Sequence, residues 1–416
     1  MLEALKTAFK LPDLRKKLLW TLLLLGIFRL GTHIVVPGMN PRAFGEDTIF
    51  TLLDLFSGGA LSNMSVFALG VNPYITSSII MNLLTMVIPR LEELAKEGVE
   101  GRKVISQYTR YGTVLLGLVQ ATALTMGFRG SMVNPGNPWS YVTIISTMTA
   151  GTIFLMWLGE VISERGIGNG ISLIIFAGIV SRLLPSAIST IQNLGVGGVH
   201  PFSLLVFLII ALAVVVFVVI VTQGQRKIPV QYAKRVIGRR MYGGQATHLP
   251  MRINQAGVIP VIFASSVLAF PLTIAQFFPD IGGFFGSLIH RLTPGQWLYL
   301  LLYAVFIFVF TYFYTAVTFN PVEVSNNMKK QGGFIPGIRP GRPTAEYLDR
   351  VLTRITLAGA LFLTGIALLP YLLSAITGMQ VGFGGTALLI AVGVAIDTMK
   401  QIEAHLLMRQ YEGFLK

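Results

Sequence analysis

FSLLVFLIIALAVVVFVVIVT, residues 202–222, contains no charged residue. The hydrocarbon core of a bilayer is about 30 Å thick, and a helix needs roughly 20 mostly apolar residues to cross it. Stretches of this length and composition recur ten times, so the sequence predicts an all-α polytopic membrane protein with ten transmembrane helices. The predicted spans are residues 18–36, 71–88, 104–126, 141–162, 170–188, 202–222, 256–278, 297–318, 355–373 and 384–400.

The composition of the whole chain supports this class. Of 416 residues, 53% are hydrophobic and 12% are charged, whereas an ordinary soluble domain carries about 25% charged residues. The mean hydropathy is +0.69. These values argue against a disordered chain and a soluble enzyme. Cysteine is absent, which excludes disulfides, a thiolate nucleophile and a Cys-based metal site.

Lysine and arginine are distributed unequally between the two sides of the predicted spans. The termini and alternate loops hold 27 of the 32 basic residues, whereas the opposite loops hold only Arg42, Arg129, Arg182 and Arg291. Arg29 lies inside the first span. Because basic residues collect on the cytoplasmic side, we predict that both termini are cytoplasmic. That orientation requires an even number of spans, and ten satisfies it.

The order of the spans predicts two halves. Five spans precede a Gly-rich outer segment and five follow it. An odd number of spans in each half gives the halves opposite orientations, which is the topology of an inverted repeat with a site or pathway between them. We therefore predict an N-terminal half over residues 1–192, an outer hinge loop over 193–200 and a C-terminal half over 201–416.

Residues 57–70, SGGALSNMSVFALG, do not read as a spanning helix. The stretch is short, rich in small residues and only half apolar, and Pro73 would begin a new helix after it. One interpretation is a short re-entrant helix over about 58–70 that acts as a movable stopper in a central cavity. Irregular backbone at membrane depth is tolerated only where protein or water surrounds it. The other interpretation is an interfacial helix on the outer surface.

Two cytoplasmic loops are unusually long. The first, at about 222–255, holds seven basic residues and no acidic one, with a predicted strand over 230–236 and a turn over 242–244. Such a loop suits an anionic partner such as ribosomal RNA or an acidic protein surface, or else an acidic lipid surface. The second, at about 320–354, contains three prolines and four glycines over 332–344, which predict a stiff turn with Arg339 at its tip.

Catalytic chemistry is hard to find in the sequence. Residues 164–170, ERGIGNG, resemble a phosphate-binding glycine loop, but they follow a membrane helix and read better as a tight turn. The five histidines have no metal-binding spacing, and no nucleophile set or carboxylate pair converges on one depth. Two intramembrane charges, Arg29 and Asp397, are either functional ions or groups that snorkel to a surface or form a structural pair. The sequence thus predicts no catalytic, metal or cofactor site.

Eight short motifs together resemble one family, and the resemblance covers nearly the whole chain. The motifs are FSGGALS at 56–62, NPYIT at 72–76, EGRK at 100–103, MWLGE at 156–160, RGIGNGIS at 165–172, THLP at 247–250, AGVIP at 256–260 and GIRPG at 337–341. Each motif alone is weak evidence for a family, but their joint occurrence in this order and at matching topological depths is highly specific. The chain resembles the SecY family, the channel subunit of the bacterial Sec protein translocase.

The resemblance implies an hourglass pore between two inverted five-helix halves. It assigns a pore ring to Val71, Ile75, Ile171, Ile175, Ile262 and Ile390. Without the resemblance, these six residues would read as ordinary core or lipid-facing aliphatics. It also assigns a plug to the region of about 58–70, including Gly58, Gly59, Ala60, Leu61, Ser62, Asn63, Met64, Ser65, Val66 and Phe67.

Further sites and partners are implied in the same way. The candidates for a lateral gate, through which apolar segments of a client enter the lipid, are Thr76, Gln120 and Phe270. The implied docking residues for the SecA motor ATPase or a ribosome are Lys234, Arg235, Arg239, Arg240, Arg252 and Arg339. SecE and SecG are the implied membrane partners, preprotein signal sequences the clients, and the inner membrane of a bacterium the location.

Two other function classes remain as alternatives. A secondary transporter for a small solute also fits an inverted repeat, but it predicts polar midplane residues and compact cytoplasmic loops, and the sequence shows neither. An intramembrane enzyme would need a convergent nucleophile or metal set. The leading hypothesis is a passive protein-conducting channel that has no ATPase of its own and takes energy from a motor, a ribosome or the proton-motive force.

Overall fold

The computed structural model describes residues 9, 11–40, 54, 57–195, 201–232, 235–237, 240–242, 246–275, 291–293, 295–377 and 385–414. Each of the ten predicted spans overlaps a helix in this part of the chain, and the all-α polytopic class is confirmed. The helices are α1 Pro12–Gly31, α2 Asn72–Val87, α3 Pro89–Lys96, α4 Val99–Gly127, α5 Pro138–Arg165, α6 Gly170–Gly195, α7 Pro201–Gln223, α8 Ile259–Ala275, α9 Trp297–Thr318, α10 Pro321–Lys330, α11 Arg342–Thr377 and α12 Gly385–Phe414.

Length and hydropathy alone identify fewer spans than the sequence pattern does. Among the described residues, three helical stretches are long and apolar enough to cross a membrane: Pro138–Arg165, Trp297–Lys330 and Arg342–Leu372. The pair α2 and α3, bent by 101°, makes a fourth if it counts as one span. The bend follows from Pro89, which holds Ile88 in an extended conformation and so ends α2.

Prolines and asparagines set several helix starts. Asn137 accepts a hydrogen bond from the Trp139 amide at 3.1 Å, directly before Pro138. Asn320 caps α10 in the same way, accepting from the amide of Val322 at 3.1 Å. Proline suits the first helical turn because its missing N–H has no partner there in any case.

The first span is shifted from its predicted position. It was expected over 18–36, but α1 begins at Pro12 and ends at Gly31. The residues after Gly31 leave the helix because Val35 forms an antiparallel bridge with Ser65. The predicted turn over 332–344 is also three residues too long, because α11 already begins at Arg342, with Pro343 in its first turn.

The predicted short helix at about 58–70 is instead a series of turns. We call residues 57–71 the turn segment. Gly58, Gly59, Met64 and Gly70 have φ values of 70°, 88°, 47° and 59°, in the left-handed region that a right-handed helix cannot use. The segment is nevertheless mostly buried, so only its local conformation differs from the prediction.

The chain folds into two compact units. The first comprises residues 1–201, 265–301 and 390–416, and the second comprises 202–264 and 302–389. In the first unit a hydrophobic cluster joins the turn segment to α4 and α5, and includes Leu61, Met64, Leu124 and Met148. The predicted division into halves with a hinge at 193–200 stays a prediction, and residues 196–200 lie outside the described chain.

The second unit contains a small sheet that both long loops build. Strand β1, Gln225–Tyr232, lies between β4, Ala246–Arg252, and β5, Gly333–Phe334, and both partners are antiparallel to it. Two short strands, β2 Arg235–Ile237 and β3 Arg240–Tyr242, form a separate antiparallel ribbon. The predicted strand over 230–236 is thus displaced, because pairing with β4 sets the extent of β1. Residues 243–245 of the predicted turn lie outside the described chain.

Candidate functional site

The turn segment lies close against helix backbones of the first unit. A Cβ placed on Gly58 would lie 2.8 Å from the Cα atom of Gly178 in α6. A Cβ on Gly151 of α5 would lie 2.1 Å from the Val66 carbonyl oxygen. Real Cβ atoms do not approach this closely, so glycine at these positions allows the segment to sit directly on the two helices.

Phe67 anchors the segment between two aromatic side chains. Its ring stacks on Phe28 of α1 with centroids 6.3 Å apart, and on Phe154 of α5 with centroids 5.9 Å apart. A Cβ on Gly31 would lie only 2.0 Å from the Phe67 ring. Aromatic pairs at these separations contribute beyond the area that they bury, so Phe67 fixes the segment between α1 and α5.

The chain after α1 pairs with the turn segment as a short strand would. The Val36 amide donates to the Met64 carbonyl, and the Val66 amide donates to the Ile34 carbonyl, both at 2.9 Å. These bonds satisfy backbone groups that no helix or sheet serves. They explain why the first span ends earlier than predicted.

A charged cluster surrounds the first turns of the segment. Asp54 is 4% exposed and forms an ion pair with Arg182 of α6. The other carboxylate oxygen of Asp54 accepts from the Ser62 amide at 2.9 Å. Arg29 of α1 donates to the Gly58 carbonyl at 2.8 Å. Arg29 therefore makes a contact within the fold, and its partner is a backbone carbonyl rather than a carboxylate.

Sequence reasoning missed most of this cluster. Asp54 was not singled out, and Arg182 was counted only as one of four outer basic residues. The two lie 128 positions apart, so no local pattern connects them. The one signal in the sequence was the scarcity of charge within the apolar stretches. Asp397, the other intramembrane charge noted above, is an exposed residue of α12.

Five of the six predicted ring residues are buried within their own units. Val71 precedes α2 by one residue, and its carbonyl accepts from the Ile75 amide at 3.0 Å, so these two lie one turn apart. The sixth, Ile171, is half-buried, and its Cδ1 atom would lie 2.4 Å from a Cβ on Gly159. The exposed fractions of the other five are Val71 2%, Ile75 6%, Ile175 1%, Ile262 6% and Ile390 0%.

Two of the three lateral-gate candidates have described side chains. Thr76 is buried in α2, where its hydroxyl donates to the Asn72 carbonyl at 3.0 Å. Gln120 is buried in α4, with 9% of its surface exposed. Phe270 belongs to α8, but its side chain lies outside the described structure.

Two of the helices that carry these candidates contact a neighbouring helix. In the first unit, Ser77 of α2 donates through its hydroxyl to the Thr109 carbonyl of α4 at 2.7 Å. In the second unit, the rings of Phe263 in α8 and Phe310 in α9 meet edge to face, 5.8 Å apart.

Two of the docking candidates, Arg252 and Arg339, lie on or near the sheet of the second unit. We call β1, β4, β5, α10 and the start of α11 the sheet module; its core includes Ile228, Met251, Met328 and Leu348. Arg252 is exposed at the end of β4. Arg235 and Arg240 lie in β2 and β3 with undescribed side chains, and Lys234 and Arg239 are outside the described residues.

Arg339 is exposed on a turn that the module holds firmly. Its carbonyl accepts from the Thr344 hydroxyl at 2.8 Å. Two residues on, the Gly341 carbonyl accepts from the Ser325 hydroxyl of α10 at 2.7 Å. Gly337 and Gly341 have φ values of 82° and 102°, which only glycine adopts readily. Arg339 is thus presented outward on a constrained loop.

The glycine motif at 166–169 is a tight turn between α5 and α6, as predicted. The Ile167 amide donates to the Thr21 hydroxyl at 3.2 Å, and the Gly168 amide donates to the Gln401 side chain at 2.9 Å. These amides therefore bind protein groups from α1 and α12. Nothing in their arrangement supports a nucleotide site.

A cavity of about 700 Å³ lies beside the start of α1. Its charged lining consists of Lys16, Lys17, Arg165 and Asp13, with His405 beside them, and its apolar lining consists of Leu11, Leu14 and Trp20. The cationic groups outnumber the single carboxylate. Such a lining suits an anionic group attached to an apolar body.

Sequence comparison identifies relatives over the whole chain. The family model described as SecY matches residues 65–399. The protein translocase subunit SecY of Thermotoga maritima is 47% identical over 432 aligned positions, which cover 100% of this chain and 98% of the relative. The curated relative and this chain therefore share their full length.

Comparison of folds gives a consistent result. A solved structure described as a protein-conducting channel superposes with a TM-score of 0.69 and 21% identity, covering 94% of this chain and 92% of that one. Sec61 in a canine ribosome–channel complex from the endoplasmic reticulum gives a TM-score of 0.65 and 20% identity, with the same coverage of each chain. At these identities the two matches establish the shared fold.

Proposed function

This chain belongs to the SecY family, and from that premise we propose that it is the central subunit of a protein-conducting channel. The channel moves unfolded preproteins across the cytoplasmic membrane and releases hydrophobic segments into the lipid. The single observation that carries this function is the full-length match to a protein translocase subunit at 47% identity. The secondary-transporter alternative is not favoured.

The proposed pore ring consists of Val71, Ile75, Ile171, Ile175, Ile262 and Ile390. A translocating polypeptide offers no fixed pattern of charge or hydrogen bonds, so a selective site could not serve it. Aliphatic side chains can surround any residue type without binding it. When the ring is empty, such a constriction resists wetting and holds back ions.

The turn segment is the proposed plug of this channel. Its burial against α1, α5 and α6, together with the aromatic anchor at Phe67, supports a closed position within the first unit. Because the segment is built from turns rather than a helix, it can leave without unfolding a regular element. A plug of this kind adds a second barrier to the apolar ring.

Lateral release is proposed to involve Thr76, Gln120 and Phe270. A signal sequence carries a short apolar segment, and its transfer from water to lipid is favourable by about 25 cal/mol for each Å² of apolar surface that it buries. Gln120 is a buried amide of α4, and its exposure on opening would cost less than that of an apolar side chain.

The sheet module is the proposed docking surface for the SecA motor ATPase or a translating ribosome. Arg339 projects from its constrained turn, and Arg252 is exposed at the end of β4. Basic groups on a rigid base suit a phosphate-rich or acidic partner, with a strong dependence on salt. The motor, the ribosome or the proton-motive force would supply energy to a passive channel.

The membrane setting follows from the same premise. SecE and SecG are the proposed membrane partners, and the inner membrane of a bacterium, with both termini cytoplasmic, is the proposed location. Acidic lipids are proposed ligands of the basic face. The cationic lining of the cavity beside α1, with Trp20 and Leu14 alongside it, supports this assignment.

Reconstitution tests the proposed function. Purified chain with SecE and SecG is placed in vesicles, and a radiolabelled preprotein is supplied with SecA and ATP. We expect protease-protected preprotein inside the vesicles only when SecA, ATP and the channel are all present. Vesicles that accumulate a small solute with saturation, and no preprotein, would instead favour the transporter.

A further inference from the structure

Two arginines that stand apart from the basic loops converge on one turn. Arg29 comes from α1 and Arg182 from α6, and both reach residues at the start of the turn segment. The positive-inside pattern does not account for them, since neither belongs to a cytoplasmic loop. Their placement therefore requires another explanation.

Asp54 is the centre of this arrangement. One carboxylate oxygen accepts from the Ser62 amide at 2.9 Å and the other pairs with Arg182. Ser57, whose hydroxyl donates to the Asp54 carbonyl at 3.1 Å, accepts from the Leu61 amide at 3.3 Å. The carboxylate thus connects α6 to backbone within the turn segment itself.

The guanidinium of Arg182 also covers the segment. A Cβ on Gly59 would lie 3.8 Å from Arg182 Nε, so the side chain passes directly over this glycine. Arg29 holds the neighbouring residue from the other side, donating to the Gly58 carbonyl at 2.8 Å. Consecutive residues of one turn are therefore held by cations from two different helices.

We propose that the Asp54–Arg182 ion pair, supported by Arg29, is a latch that positions the turn segment and keeps the channel shut. This inference rests on the proposed function of that segment as the plug. Asp54 is almost fully buried, and a buried carboxylate without its cation is strongly unfavourable. Movement of the segment would break the bond from the Ser62 amide to Asp54 and remove Gly59 from beneath Arg182, and this cost contributes to the closed fraction.

Charge removal and charge exchange test the latch. We expect Asp54→Asn and Arg182→Gln each to raise the resting ion conductance of reconstituted channels about ten-fold or more. Both should also export a preprotein with a defective signal sequence. The exchange Asp54→Arg with Arg182→Asp should return conductance toward the wild-type value, since it restores the pair. A matched control is Glu100→Gln, which removes an exposed ion pair with Lys103 and should change nothing.

Folding and plug function are controlled separately. Yield and resistance to trypsin in detergent show whether each variant is folded, and deletion of residues 60–67 reports the conductance of a channel without the segment. If the deletion raises conductance but the single variants, folded, behave as wild type, the latch is wrong and the plug stands. If the deletion has no effect, the proposed role of the segment fails instead. Single variants that leak, with an exchange that does not rescue, would also contradict the pair.

Discussion

The turn segment and the sheet module are held in opposite ways. The turn segment has no repeating hydrogen-bond pattern, yet it is mostly buried and fixed by stacked rings, close glycine contacts and a charged cluster. The sheet module has regular antiparallel pairing over residues 225–231 and presents its charged side chains outward. The segment proposed to move is therefore held by a few separable contacts, whereas the proposed docking surface is a continuous hydrogen-bonded unit.

This difference suits their proposed tasks. Separable contacts can be broken together when a client arrives, and each one sets part of the closed population. A sheet with a packed core transmits force without rearranging. Substitutions in the turn segment should therefore change the resting state of the channel, and substitutions on the surface of the module should change only its coupling to partners.

Arg339→Glu has the largest expected effect. Reversing the charge at the tip of the constrained turn should abolish SecA-driven import into vesicles, because the acidic partner surface is then repelled. Membrane insertion and resting conductance should stay as in the wild type. The control is Arg129→Glu, an exposed basic residue after α4 that lies outside the sheet module. Import at the normal rate by Arg339→Glu would contradict its docking role.

Phe67→Ala should affect the turn segment and leave the sheet module unchanged. Loss of both stacked rings, Phe28 and Phe154, is expected to destabilise the closed position by about 3–5 kcal/mol. Resting conductance should rise, while SecA binding, measured by co-sedimentation with vesicles, should not change. A matched control is Phe217→Ala, which loses a ring contact with Phe362 outside the turn segment. Unchanged conductance in folded Phe67→Ala channels would show that the ring stack does not hold the segment.

Gly151→Ala gives the smallest and sharpest test. Helix propensity alone favours alanine over glycine by about 1 kcal/mol, but the new Cβ would meet the Val66 carbonyl at 2.1 Å. We expect the steric clash to outweigh the gain in helix propensity. Resting conductance should then rise a few-fold, which corresponds to a destabilisation of the closed position on the order of 1 kcal/mol. Gly117→Ala is the control, since its Cβ would meet the Thr149 side chain at an ordinary 3.6 Å. Equal behaviour of the two variants would contradict the close approach.

The sequence predicted features that local patterns encode. Each apolar stretch overlaps a helix, and proline and glycine density located the turn that carries Arg339. The conformation of the turn segment was not predictable in this way, because positive φ at Met64 depends on its bridge to the chain after α1. The pairing of β1 with β5 joins loops about a hundred residues apart, and only folding brings these strands together.

The charged cluster shows the same limit. No sequence pattern connects Asp54 with Arg182. Their ion pair forms only because the fold of α6 places the Arg182 guanidinium over the turn segment. The close approach of Ile171 to Gly159 is also not predictable from local sequence, because it depends on how α5 and α6 pack. The ring itself was assigned by resemblance, because burial does not distinguish a pore residue from a core residue.

The central claim is that a preprotein passes the six ring positions. The most direct measurement places a photoreactive side chain at position 75, 175 or 262 and irradiates channels that hold a stalled preprotein. We expect crosslinks to the preprotein at these positions and none from position 212, an exposed residue of α7. Equal crosslinking at position 212, or none at the ring positions, would contradict it.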